Sequence, residues 1–268
     1  MSYILGYISA ILMGGVLGLI GGGGSILTVP ILVYLFKIPP VLATAYSLFI
    51  VGLTSLFAVI GYVKKNLVNF KVGIIFSIPS FIGVFSSRKF IVPAIPKELL
   101  HIGNYTLNKD TGILFLFALM MVAASISMIK KKKENSEPPK EISEAKKLAF
   151  VSLEGLIVGI LTGLIGAGGG FLVIPVLVMF AKMEMKEAVA TSLLVITIKS
   201  LFGFLGDLGN NSIDWSFLGG FSVFTIAGAF IGTYLSKFVP SEKLKPAFGW
   251  FVLVMGIFIL LKEGLGSH

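Results

Sequence analysis

Apolar residues run through this chain in long blocks, separated by short polar or glycine-rich breaks. The blocks are 3–20, 25–36, 41–63, 72–87, 111–129, 148–165, 170–181, 186–206, 215–236 and 246–261. A block of about 20 apolar residues fits a hydrocarbon core about 30 Å thick. The twelve-residue blocks 25–36 and 170–181 are too short to cross at about 1.5 Å per residue, which predicts re-entrant segments. The breaks Lys37-Ile38-Pro39-Pro40 and Lys64 to Lys71 read as ends of helices, and Pro79 as a kink. The stretch Arg88 to Asp110 reads as a long loop, with Phe90 to Pro96 lying at the interface.

The pattern is duplicated. Gly18-Leu19-Ile20-Gly21-Gly22-Gly23-Gly24-Ser25-Ile26-Leu27-Thr28-Val29-Pro30 returns 145 positions later as Gly163-Leu164-Ile165-Gly166-Ala167-Gly168-Gly169-Gly170-Phe171-Leu172-Val173-Ile174-Pro175. Eight of the thirteen positions are identical. Ala45-Tyr46-Ser47-Leu48 matches Ala190-Thr191-Ser192-Leu193 at the same offset, and Asn69-Phe70 matches Asp214-Trp215. The expected fold is an all-α polytopic membrane protein of two repeats, each of about five hydrophobic segments with a glycine-tipped broken or re-entrant hairpin. The domains are 1–129, a basic cytoplasmic linker 130–147, and 148–268.

Composition and charge sharpen this reading. The 268 residues are 56% hydrophobic and 13% charged, with a mean hydropathy of +0.97. A soluble domain carries about 25% charge. The chain therefore reads as a multi-pass protein of the plasma or inner membrane, in contact with lipid. The first block lacks a basic n-region and is expected to be retained. The net charge of +9 is read as basic cytoplasmic loops, with no nucleic-acid partner. There are no cysteines, and the two histidines fall in a loop and at the terminus, so neither a metal site nor a cofactor is expected.

Basic residues also orient the repeats. The 130–147 linker carries seven and belongs inside. Tracing outward puts Lys64–Lys71 inside and its equivalent, Asp207–Asp214, outside, so the repeats are expected to be inverted. The discordant piece is Arg88–Asp110, with four basic residues on the outer side.

Duplicated helix breaks point to a transporter's binding site. Glycine bares backbone N–H groups, and the helix that follows aims its positive end at the break, which suits an anion. The candidate substrate ligands are Gly21, Gly22, Gly23, Gly24, Ser25, Gly166, Gly168, Gly169 and Gly170, with Ser25 as N-cap or extra donor. The alternative is that the glycines only allow tight packing. Ser47, Thr191 and Ser192 either line the same cavity or bond the preceding helical turn. Lys199, fourteenth in its block, pairs with the substrate, pairs with Glu154, or faces water. Asp207, Asp214 and Asn69 read as loop caps. No residue is read as catalytic.

The doubled G-L-I-G-x-G-G-(S/G)-x-L-x-x-P, each followed by A-x-S-L, resembles the sulfite exporter TauE/SafE family of permeases. That resemblance implies a secondary transporter moving small sulfur-containing oxyanions such as sulfite, sulfonates or thiosulfate by alternating access, and not an enzyme. The partner would be a small inorganic or organosulfur anion, with a coupling proton or sodium ion left open. Ala167, and Tyr46 opposite Thr191, suggest half-sites that are chemically unequal. The alternatives are an anion channel, or a membrane scaffold or subunit without transport.

Overall fold

In α4 (Phe70–Ser86), Ile74, Ile78 and Ile82 fall one helical turn apart and are about half exposed, while Phe76, Ser80 and Gly83 on the other face are buried. Outward apolar stripes recur at Leu5, Ile8 and Leu12 and at Phe150, Leu153 and Ile157. Such stripes suit a bundle whose solvent is lipid.

The structure, a computed structural model, describes residues 2–102, 105–129, 144–166, 168–179, 181, 183–209, 213–238 and 240–265. In the first part α1 (Ser2–Ile20) leads through a 3-10 turn at Gly22–Gly24 into α2 (Ser25–Pro30), which a π-turn extends over Ile31–Leu35. There follow α3 (Pro40–Val63) and α4, which a π-turn at Ser87–Ile91 carries into α5 (Val92–Ala94). Strands β1 (Glu98–Ile102) and β2 (Tyr105–Asn108) pair antiparallel before α6 (Lys109–Ile129). The second part has α7 (Glu144–Ile165), α8 (Gly170–Met179), α9 (Met185–Phe204) with a 3-10 turn at Leu205–Asp207, α10 (Trp215–Leu235) and α11 (Ser241–Leu265). Among the described residues five helical stretches are long and apolar enough to cross a membrane: Pro40–Val63, Phe70–Ala94, Lys109–Ile126, Met185–Asp207 and Trp215–Leu235.

Two expectations change. The expected loop from Arg88 begins as helix, because Pro93 sits in the first turn of α5, where a missing N–H costs nothing. In the rest of that stretch two strands pair antiparallel, so among the described residues the fold is helical with one small two-stranded exception. Residues 130–143 of the expected linker, and Ala167, lie outside the described residues.

The helices pack across the two halves. α1 lies on α10, and α7, which matches α1 in sequence, lies on α4. Close approach explains the pairing. A Cβ added at Gly14 would sit 1.9 Å from Thr225 O, and one at Gly159 2.2 Å from Ser80 O. Small residues let membrane helices touch backbone to backbone. α3 and α9 pack antiparallel, with Gly52 beside Leu201 and Gly203 beside Leu48. α6 packs on α11. After Gly24 the chain turns back along α1, where Thr28 Oγ1 donates to Met13 Sδ and the Phe36 ring lies over Gly6.

Candidate functional site

Both glycine breaks use backbone that only glycine adopts freely. Gly21 has φ 76°, and Gly166, Gly168 and Gly169 have φ of 71°, 62° and 64°. These turns bring the two breaks into contact. A Cβ on Gly22 would lie 1.9 Å from Gly170 Cα, and one on Gly170 the same distance from Gly22 Cα. The Ile196 side chain packs over both. Gly168 faces Val51 and Ser25, Gly21 faces Ser192 and Val189, and Gly166 faces Thr44. Each loop is thus cradled by the helix that follows the other. Gly24 packs on Leu17 and Met13 of its own half.

The polar side chains sort by what their hydrogens and lone pairs do. Ser25 donates to Gly22 O at 2.6 Å, closing the 3-10 turn, so it is not an N-cap. Ser192 donates to Val189 O at 2.8 Å, the local bond weighed above. Ser47 Oγ is buried with no partner. Ser25, Ser47, Thr191, Ser192 and Lys199 are all fully buried.

Thr191 works at a helix start, away from the glycine contact. Its hydroxyl accepts from Asn69 N at 2.9 Å. In the other half Tyr46 Oη accepts from Asp214 N at 2.8 Å. Asn69 and Asp214 in turn cap α4 and α10, accepting from Val72 N and Phe217 N. The Tyr46/Thr191 difference therefore lies in the scaffold, because a long and a short hydroxyl reach the same backbone group.

Lys199 projects toward the second glycine loop. A Cβ on Gly169 would come 2.8 Å from Lys199 Nζ. Its hydrogen-bond partner is Thr162 Oγ1, at 3.4 Å. Glu154 is not its partner: one Glu154 carboxylate oxygen is buried and unpaired. At the matching position Thr54 shares a 2.6 Å hydrogen bond with Thr225.

Among the described residues the buried ion pair is Arg88–Asp207, at 2.7 Å. The sequence pattern sets Arg88 at the head of a loop and Asp207 as a loop cap, whereas both lie buried in helical turns, at Ser87–Ile91 and Leu205–Asp207. The offset of 145 carries a signal for them, since Arg88 matches Thr233 inside α10 and Asp207 matches Tyr62 inside α3.

The arrangement defines a class: a multi-pass membrane protein whose two glycine breaks meet in a buried interior that holds Lys199. The profile described as "Sulfite exporter TauE/SafE" matches residues 7–259, and the chain belongs to that family. A "Probable membrane transporter protein" of Methanocaldococcus jannaschii is 31% identical, with 92% of this chain and 91% of that protein covered. Relatives of the same printed description from Xylella fastidiosa (94% of this chain, 92% of that protein) and Bacillus subtilis (93% and 96%) are each 27% identical. No solved structure matches the chain. The printed descriptions of the family and of these relatives are those of membrane transporters.

Proposed function

We propose that the chain is a secondary carrier that moves a small sulfur-containing oxyanion, such as sulfite or a sulfonate, by alternating access. The observation that carries this reading is Lys199: a fully buried lysine, without a carboxylate, against Gly169 where the two loops meet. Taking such a charge out of water is expensive unless an anion answers it. α8 begins at Gly170; Leu172 N and Val173 N already donate to Gly169 O, so the N–H groups offered to an anion are those of Gly170 and Phe171, ahead of these bonds. Gly166, Gly168, Gly169 and Gly170 with Lys199 form the principal half-site. Gly21 to Gly24, Ser25, Ser47 and Ser192 complete the site.

We read the two halves as inverted repeats. Lys65, just past the end of α3, lies close to Lys186 at the start of α9 and to Lys237 past the end of α10. Helices that match in sequence thus reach the same face from opposite ends. Three lysines on that face favour the cytoplasm.

Counterflow in proteoliposomes tests the carrier. Labelled sulfite should enter faster when unlabelled sulfite is trapped inside. Flux that only follows the gradient would indicate a channel. No flux would indicate a scaffold or subunit.

A further inference from the structure

Arg88 binds Asp207 with both arms of its fork. Nε donates to Oδ2 and Nη2 to Oδ1, each at 2.7 Å. Nη1 donates to Thr44 Oγ1 at 2.9 Å and to Gly163 O at 3.3 Å. Arg88 is completely buried and Asp207 nearly so. The cluster ties the start of α3, the end of α4, the end of α7 and the end of α9 together. It also abuts the second glycine loop, because Thr44 is the residue packed on Gly166.

The positions matching Arg88, Asp207 and Gly163 at the 145-residue offset are Thr233, Tyr62 and Gly18. They also meet. Tyr62 Oη donates to Gly18 O at 2.9 Å, and Thr233 Oγ1 reaches the same carbonyl at 3.4 Å. Each glycine loop thus has a polar cluster three residues before it, built by equivalent helices. One cluster is ionic and the other neutral. They lie at opposite ends of the bundle. Tyr62 stands beside the α3–α4 turn, whereas Arg88 is roughly 27 Å further along the helix that starts at Phe70, at about 1.5 Å per residue. Both clusters are formed at once, and Ser25, Ser47, Ser192 and Lys199 between them are sealed.

We propose that these clusters are the two alternating closures of the anion path, and that the substrate opens the ionic one by replacing Asp207 on the Arg88 guanidinium. This rests on the carrier reading above. A sulfonate or sulfite presents two oxygens to the guanidinium fork as Asp207 does. Asp207 alone cannot leave cheaply, since that would strand a buried guanidinium. An arriving oxyanion removes that obstacle, so this end opens when substrate is present. The neutral closure has no charge to strand and opens without an anion.

The protein has no cysteine, so a single introduced thiol reports access cleanly. In Ser47→Cys proteoliposomes, a membrane-impermeant cationic methanethiosulfonate is applied to one face or the other, with and without methanesulfonate. Methanesulfonate should speed labelling at least ten-fold from the Arg88 face. Arg88→Lys keeps a charge but loses the fork, and should abolish that acceleration. Added Asp207→Asn should give fast labelling from the same face without any anion. Tyr62→Phe with Thr233→Val should speed labelling from the opposite face only. If Asp207→Asn does not fold, the Arg88→Lys and Tyr62/Thr233 arms still decide. Methanesulfonate uptake with no side-specific change in labelling overturns this inference alone. Neither uptake nor stabilisation by methanesulfonate overturns the carrier reading with it.

Discussion

Gly22 and Gly170 meet backbone to backbone, so that neither position has room for a single carbon more. The contact joins two stretches that match in sequence 145 positions apart. Gly170→Ala should destabilise the protein by about 2–3 kcal/mol through overpacking and should stop transport. Gly219→Ala makes the control, since a Cβ there meets nothing within 4 Å. Melting in detergent and uptake in proteoliposomes check both. Wild-type behaviour of Gly170→Ala would contradict the close approach.

Lys199 separates binding from stability. Replacing a buried, uncompensated charge with an apolar side chain of similar length costs little stability and can add some. Lys199→Met should therefore melt at or above the wild-type temperature. It should also lose the anion-dependent rise in melting temperature, which at 100 times Kd is worth about 2.7 kcal/mol. Retained stabilisation by sulfite would remove Lys199 from the site.

Tyr46→Phe and Thr191→Val each delete an acceptor for one backbone N–H. Each should cost about 1 kcal/mol of stability and leave anion affinity within two-fold of wild type, roughly the scatter such bonds allow. A large loss of affinity in Thr191→Val alone would return that residue to the binding site.

Lys65 holds its proton less tightly than the usual 10.5, through burial first and then repulsion from Lys237 and Lys186. The unfolded chain therefore binds more protons than the folded one between the lowered folded value and 10.5. Stability from this group rises with pH across that window, and its penalty is full below it. Lys65→Gln should raise the melting temperature at neutral pH and low salt, and the gain should shrink as salt screens the lysines. The part of the gain that comes from burial should persist in high salt, and a gain wholly unaffected by salt would remove Lys237 and Lys186 as contributors.

The apolar segments and the two glycine breaks were legible in the sequence because apolar runs and glycine breaks act locally, and duplication made them conspicuous; that the breaks touch at Gly22 and Gly170 came from the structure. Asn69 and Asp214 read correctly as caps for the same reason. Arg88 did not, because its neighbour Lys89 and the prolines at 93 and 96 imitate a loop, whereas its partner is distant in sequence. The β-hairpin was missed although Gly103-Asn104, a recognised hairpin turn pair, stands between its strands. The Tyr46/Thr191 pair looks like a site asymmetry in the sequence, whereas in the structure each hydroxyl accepts from the equivalent backbone N–H of the other half, Asp214 N for Tyr46 and Asn69 N for Thr191.

The Arg88–Asp207 pair also dictates an order of events at birth. The two residues are 119 positions apart. At about 5–20 residues per second, the ribosome makes Asp207 roughly 6–24 s after Arg88. Until then the nascent first half must keep a guanidinium hydrated or at the lipid headgroups. α4 therefore cannot settle at its final depth while the chain is half made, and the first half reaches its native form only when the second arrives.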